Sequence, residues 1–125
     1  MSVSAADHYL TERVMTASPA ELTAMLFDAA VGALKSALRL QAAEDHITAR
    51  TRIQKAQDIV LELRSTLNHD AGPLADHLDA LYTFVWTQLL QGSVQRDSKK
   101  VKAALDVLEP LQQAWQQACM TVAAA

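Results

Sequence analysis

The chain has 125 residues, half of them apolar and a fifth charged, with a formal net charge of −3. A single domain of this size removes about two thirds of its unfolded surface from water, and a negative balance argues against nucleic-acid binding, which rests on phosphate neutralisation by Lys and Arg. No apolar run approaches the ~18 residues of a membrane span, three Gly and three Pro leave little material for the turns of an all-β fold, and the lone Cys119 excludes an internal disulfide, which suits a reducing cytosol.

The opening "MSVSAADHYL" has no basic region followed by an apolar stretch, so no secretory signal is read there. Residues 1–17 read as a loose N-terminal arm carrying Tyr9, Val14 and Met15, and residues 18–125 as a helical domain. The first strong start signal is "SPAE": Ser18 as N-cap, Pro19 at the first helical position where a missing N–H costs nothing, and Glu21 placed to complete a capping box. Leu22, Leu26, Ala29, Ala33, Ala37 and Leu40 then recur at steps of three and four, one apolar stripe along a helix.

Between Gly32 and Gly72 there is neither Gly nor Pro. A single helix from 18 to 69 would be about 78 Å long, too long for so small a domain. The stripe lapses across "QAAEDH", residues 41–46, which predicts a turn with Asp45 capping a second helix. That helix carries Ile53, Ala56, Val60, Leu63 and Leu67 at 3-4-3-4 spacing. "NHDAGP", residues 68–73, predicts the clearest break, with Pro73 opening a third helix whose inward positions are Leu74, Leu78, Leu81, Val85 and Leu89. "GSVQRD" reads as a loop and Asp97 or Ser98 as the next cap. The fourth helix follows Val101, Leu105, Leu108, Leu111, Trp115, Ala118 and Val122, with a kink expected near 106–110 because Pro110 removes one backbone bond. The fold class is therefore all-α, an antiparallel four-helix bundle with a loose N-terminal arm.

The chemistry-bearing residues favour no reaction. A di-iron bundle needs Glu-x-x-His on two helices, and none occurs; His77 lacks the nearby Lys of a phosphotransfer histidine. His46, His69 and His77 read as surface or loop residues, Cys119 as a small buried residue, and "KKVK" (99–102) as a solvated face. No enzyme, metal or cofactor is expected. The apolar surplus says more. Ile59 and Leu61 on the second helix, and Tyr82, Phe84, Trp86 and Leu90 on the third, exceed one inward stripe. They predict either very well buried helices or a groove for a partner's amphipathic segment.

The landmarks "TASPAELTAMLFDAA" (16–30), "IQKAQDIVLELRSTLN" (53–68), "LDALYTF" (78–84) and Ala114–Trp115, with Tyr9 nine residues before Ser18, resemble the FliS family of flagellin export chaperones of the bacterial flagellar type III system. The resemblance runs from Tyr9 to about Trp115. This chain departs from the family at Phe27-Asp28-Ala29, His77, Gly92-Ser93 and Pro110. The resemblance implies a cytoplasmic chaperone that holds the disordered C-terminal segment of flagellin, prevents premature polymerisation and delivers it to the flagellar export gate. It further implies that the arm, through Tyr9, Val14 and Met15, covers the apolar surface of the free protein and contributes to gate docking. On this reading Ile53, Ala56, Ile59, Val60, Leu63, Leu81, Tyr82 and Val85 line or support the client groove, by stoichiometric binding without chemistry. The other reading is a helical signalling or adaptor module that self-associates through the same surplus.

Overall fold

The computed structural model describes residues 4–124, with side chains through Met120; the ends of the two predicted segments, residues 1–3 and 125, and the Val122 side chain lie outside the described residues. Among the described residues the elements are helical throughout: α1 (Ala5–Thr16), α2 (Pro19–Ala42), α3 (His46–Ser65), a 3-10 turn (His69–Ala71), α4 (Pro73–Val94) and α5 (Ser98–Ala124). Helix α2 packs against α3 and α5, and α4 packs against the same two, so α2 to α5 close a ring around one core.

The predicted starts lie where the chain satisfies its own orphan N–H groups. Ser18 Oγ accepts from Glu21 N at 3.2 Å, and the Ser18 hydroxyl also meets Glu21 Oε1 at 3.2 Å. Asp45 Oδ1 accepts from Thr48 N at 3.2 Å, after a turn in which Glu44 takes φ 60°. Gly72 at φ 123° makes the turn that Pro73 follows, a backbone conformation that only glycine adopts without strain.

Three expectations need correction. The arm is helical: residues 5–16 form α1, capped by Ser4, whose Oγ accepts from Asp7 N at 3.1 Å. None of the residues of α1 is buried. Second, "GSVQRD" is not wholly a loop, because α4 continues through Gly92 and Ser93 to Val94 and turns only at Gln95–Asp97, with Arg96 at φ 52°. The reason is a close approach: a Cβ on Gly92 would stand 2.7 Å from Val101 Cγ2 and 3.1 Å from the Asp97 carbonyl oxygen. Glycine here lets α4 meet the first turn of α5 rather than ending a helix. Third, the inward face of α4 is Ala75, Leu78, Tyr82, Val85, Leu89 and Gly92, a regular 3-4-3-4-3 series, with Leu74 and Leu81 outside it. Tyr82 takes the position expected of Leu81.

The core is formed by Phe27, Ala30, Leu34 and Ala37 of α2, Ile53, Ala56, Val60 and Leu63 of α3, Tyr82, Val85 and Leu89 of α4, and Val101, Ala104, Leu105 and Leu108 of α5. Burying each of the larger aliphatic side chains contributes roughly 1.5–3 kcal/mol. Two buried amides tie neighbouring backbones: Gln41 Nε2 donates to the Gly92 carbonyl at 3.3 Å and Gln57 Nε2 to the Trp86 carbonyl at 3.5 Å. Helix α5 runs through Pro110, whose missing N–H leaves the Asp106 carbonyl without its helical donor.

Candidate partner-binding surface

An apolar concavity of about 720 Å³ opens where α2 and α4 begin and towards the later parts of α3 and α5. Leu22, Leu26 and Phe27 come from α2, Glu62 from α3, Leu67 from the segment after it, Leu74, Leu78 and Tyr82 from α4, and Leu111 and Trp115 from α5. Its lining is overwhelmingly apolar. Leu74 is 68% exposed, which isolated burial of a leucine would never favour, while neighbours Leu78, Leu111 and Trp115 are half-buried. A contiguous apolar concavity of this kind marks a surface that gains from being covered.

Its α5 wall lies beyond Pro110 and is fastened to α2 by polar contacts. Trp115 Nε1 donates to the Ala20 carbonyl at 3.0 Å, and the Phe27 and Trp115 rings lie 6.3 Å apart at 39°. Gln112 and Gln116 each donate through Nε2 to Asp28 Oδ1 at 2.9 Å, and Lys35 meets Glu109 at 2.8 Å. The opposite wall is braced by Arg64, whose Nε donates to Asp79 Oδ1 at 2.5 Å, and by His69, whose Nδ1 lies 2.9 Å from Asp76 Oδ1. An adjoining hollow of about 530 Å³ continues past Trp115 along Ala118, Cys119 and Met120, so Cys119 is a half-buried wall residue rather than a core one.

A second hollow of about 210 Å³ lies between α3 and α4, lined by Val60, Leu61, Arg64, Tyr82, Thr83 and Trp86. Tyr82 is shared by both concavities although its side chain is only 4% exposed. Burial pushes its phenol pKa above the ordinary value of 10.0, because the ionised form loses hydration.

The residues expected at the site separate into three groups. Val60 and Tyr82 line a concavity. Ile53, Ala56, Leu63 and Val85 are fully buried core residues beneath it, while Ile59 is half-buried against the core and Leu81 is exposed on α4. Tyr9, Val14 and Met15 are all exposed on α1, with Met15 at 82%, and none lines either concavity. Reasoning from the sequence missed the main groove residues Leu26, Leu74, Leu78, Leu111 and Trp115 as a set. Part of their signal was present: Leu74 and Leu78 fall in the first two turns of α4, and Leu111 and Trp115 follow Pro110 in α5.

Among the described residues no group of three His, Cys, Asp or Glu side chains is placed to hold a metal ion, and no helix is long and apolar enough to cross a membrane.

The chain is 31% identical over 106 residues to the flagellar secretion chaperone FliS of Salmonella typhimurium, covering 83% of this chain and 78% of that protein. It is 30% identical over 109 residues to the Vibrio cholerae protein of the same name, covering 84% and 78% of the two chains. The Bacillus subtilis flagellar secretion chaperone FliS is 28% identical over 110 residues, covering 88% and 82%. A bacterial flagellar chaperone crystal structure superposes with a TM-score of 0.74 at 23% identity, covering 91% of this chain and 94% of that one, which shows a shared fold. Residues 2–122 match the family described as "Flagellar protein FliS", and the chain belongs to the FliS family.

Proposed function

We propose that this protein is a cytoplasmic flagellar secretion chaperone that holds the disordered C-terminal segment of flagellin, prevents its premature polymerisation and delivers it to the flagellar export gate. The observation that carries the reading is the 720 Å³ apolar groove, in a chain whose relatives are named flagellar secretion chaperones. The groove suits an amphipathic client helix presenting anchors at i, i+3 and i+4 spacing. Leu26, Leu74, Leu78, Leu111 and Trp115 receive those anchors, with Tyr82 as the shared floor of the groove and of the α3–α4 hollow. Ile53, Ala56, Leu63 and Val85 support that floor from the core, and Val60, Ile59 and Leu81 belong to its α3–α4 side.

The architecture fits this role as an antiparallel four-helix bundle. Supporting this, connections of a few residues join packed helices of 20 residues or more, and short links reach only the near end of the next helix. Ordering a disordered client costs roughly 2–5 kcal/mol, so tight binding needs an extended wrapped area rather than one pocket. The α1 residues Tyr9, Val14 and Met15 serve in this reading as the contact with the export gate and as a removable cover that stands off the groove here; their exposure leaves them available to a second partner. The reading involves no catalysis and no cofactor.

Calorimetric titration with a peptide spanning the C-terminal segment of the same organism's flagellin tests it, with far-UV circular dichroism followed in parallel. One-to-one binding with a gain of helix is expected. A flat titration by a folded monomer overturns the client assignment, and a stable homodimer that buries the groove without flagellin affinity favours the self-associating adaptor.

A further inference from the structure

At the end of α3 remote from the client groove, roughly 24 Å away along the helix between Arg50 and Thr66, a separate hollow of about 300 Å³ opens between the start of α3 and the end of α4. Its lining is unlike the others: His46, Arg50, Ser93 and Arg96 are polar or cationic, and Ile47 and Val94 complete it. Among the described residues neither the Arg50 nor the Arg96 guanidinium has a hydrogen-bonded or ionic partner. His46 Nδ1 is buried and also has none. Ile47 and Val94 are large apolar side chains left 86% and 71% exposed.

The charge distribution singles out this end. The chain carries fourteen carboxylates against eleven Lys and Arg, yet residues 39–52 and 96–102 together hold seven of those cations against three carboxylates. The two segments meet, since Arg96 shares the hollow with His46, Ile47 and Arg50. Two of the three carboxylates are occupied: Asp45 accepts from Thr48 N at 3.2 Å and Asp97 from Lys99 N at 3.0 Å. Helix α3 also presents its positive N-terminal end here.

We propose that the hollow formed by His46, Arg50, Ser93 and Arg96 is a docking site for an acidic peptide segment of a second protein, distinct from the client groove. A carboxylate lies between the two guanidiniums, with the Ser93 hydroxyl as a further donor, and an adjacent apolar side chain rests on Ile47 and Val94. Charge complementarity selects the acidic partner, and the exposed apolar pair selects a peptide over a bare anion, which would use none of that surface.

The probe is a short fluorescent peptide of alternating Glu and Leu, titrated into the full chain by anisotropy beside the same peptide with Gln for Glu. The expected result is salt-sensitive binding of the Glu peptide, at least roughly tenfold weaker binding of the Gln peptide, and a similar loss in the double variant Arg50→Gln, Arg96→Asn. Among the described residues both guanidiniums are unpartnered, and Asn tolerates the left-handed backbone at position 96, so unchanged helicity is expected and is checked by circular dichroism. The single variant Ile47→Ser, which leaves both arginines in place, gives a second reading and weakens the Glu peptide several-fold. Equal binding of the two peptides overturns the proposal. So does binding that survives the arginine and Ile47 variants but is lost in Leu74→Asp, because the peptide is then in the client groove. Inorganic phosphate that shifts the amides of residues 46–50 and 93–96 as strongly as the peptide overturns it as well, and makes the site one for small anions.

Discussion

The same substitution at two glycines has opposite consequences, and the difference is set by what surrounds each Cα. Gly32 lies in α2 on an exposed face with nothing within 4 Å of the position a Cβ would take. Gly92 lies buried in α4, where that Cβ meets Val101 Cγ2 at 2.7 Å, the Asp97 carbonyl oxygen at 3.1 Å and Val101 N at 3.2 Å. Both changes to Ala gain about 1 kcal/mol of helix propensity. At Gly32 nothing opposes that gain, so Gly32→Ala stabilises by roughly 0.5–1 kcal/mol. At Gly92 two of the three crowding atoms are backbone and cannot rotate away, so α4 and the first turn of α5 must separate. Overpacking of this kind costs roughly 1–3 kcal/mol, which leaves Gly92→Ala between neutral and about 2 kcal/mol destabilised. The propensity gain cancels between the variants, so their difference isolates the overpacking. Urea denaturation followed by circular dichroism at fixed temperature measures it, with equal m-values as the check that both unfold alike. Gly92→Ala as stable as Gly32→Ala would refute the close approach of α4 and α5.

Three further outcomes follow from the same geometry. Leu74→Asp places a charge on an exposed groove residue, and should weaken flagellin-peptide binding by roughly tenfold or more while leaving the thermal midpoint nearly unchanged; calorimetry and a thermal melt read the two effects separately. Because the folded state holds the Tyr82 phenol neutral, its contribution is complete below about pH 10, where the unfolded phenol ionises, and is lost as pH rises above that value. Stability between about pH 9 and 11 should therefore fall more steeply in the native chain than in Tyr82→Phe, and identical slopes would remove burial as the cause. Deleting residues 2–15 removes α1, which buries nothing, so the cooperative unfolding transition should persist with its midpoint unchanged; loss of that transition would mean that α1 belongs to the core.

Caps and turns were the most legible part of the sequence because they depend on neighbours three residues away. Ser18–Glu21, Asp45–Thr48 and Gly72–Pro73 each carry their partner within the same short segment. The face of α4 was less legible. Leu81 and Tyr82 are adjacent and both apolar, and only packing against α3 and α5 selects the tyrosine for burial. Helix α1 had its Ser4–Asp7 cap in plain sight, but no apolar stripe follows it, and none of its residues is buried. Gly92 reads as a stop signal in isolation, and becomes a helical residue only because Val101 approaches from ninth position downstream. Of the apolar surplus read from the sequence, Leu61, Tyr82 and Trp86 line the small α3–α4 hollow and only Tyr82 reaches the main groove, which was illegible as a place. Its lining comes from four helices, and which ends of them share a mouth is a property of the assembled ring.

The function proposed for this protein depends on where the client sits. The most direct measurement is an amide chemical-shift map of the isotopically labelled chain titrated with the flagellin C-terminal peptide. The predicted result is a contiguous set of shifts at Leu26, Leu74, Leu78, Tyr82, Leu111 and Trp115, with Arg50 and Arg96 undisturbed. Shifts concentrated elsewhere, with the groove residues unmoved, would contradict it.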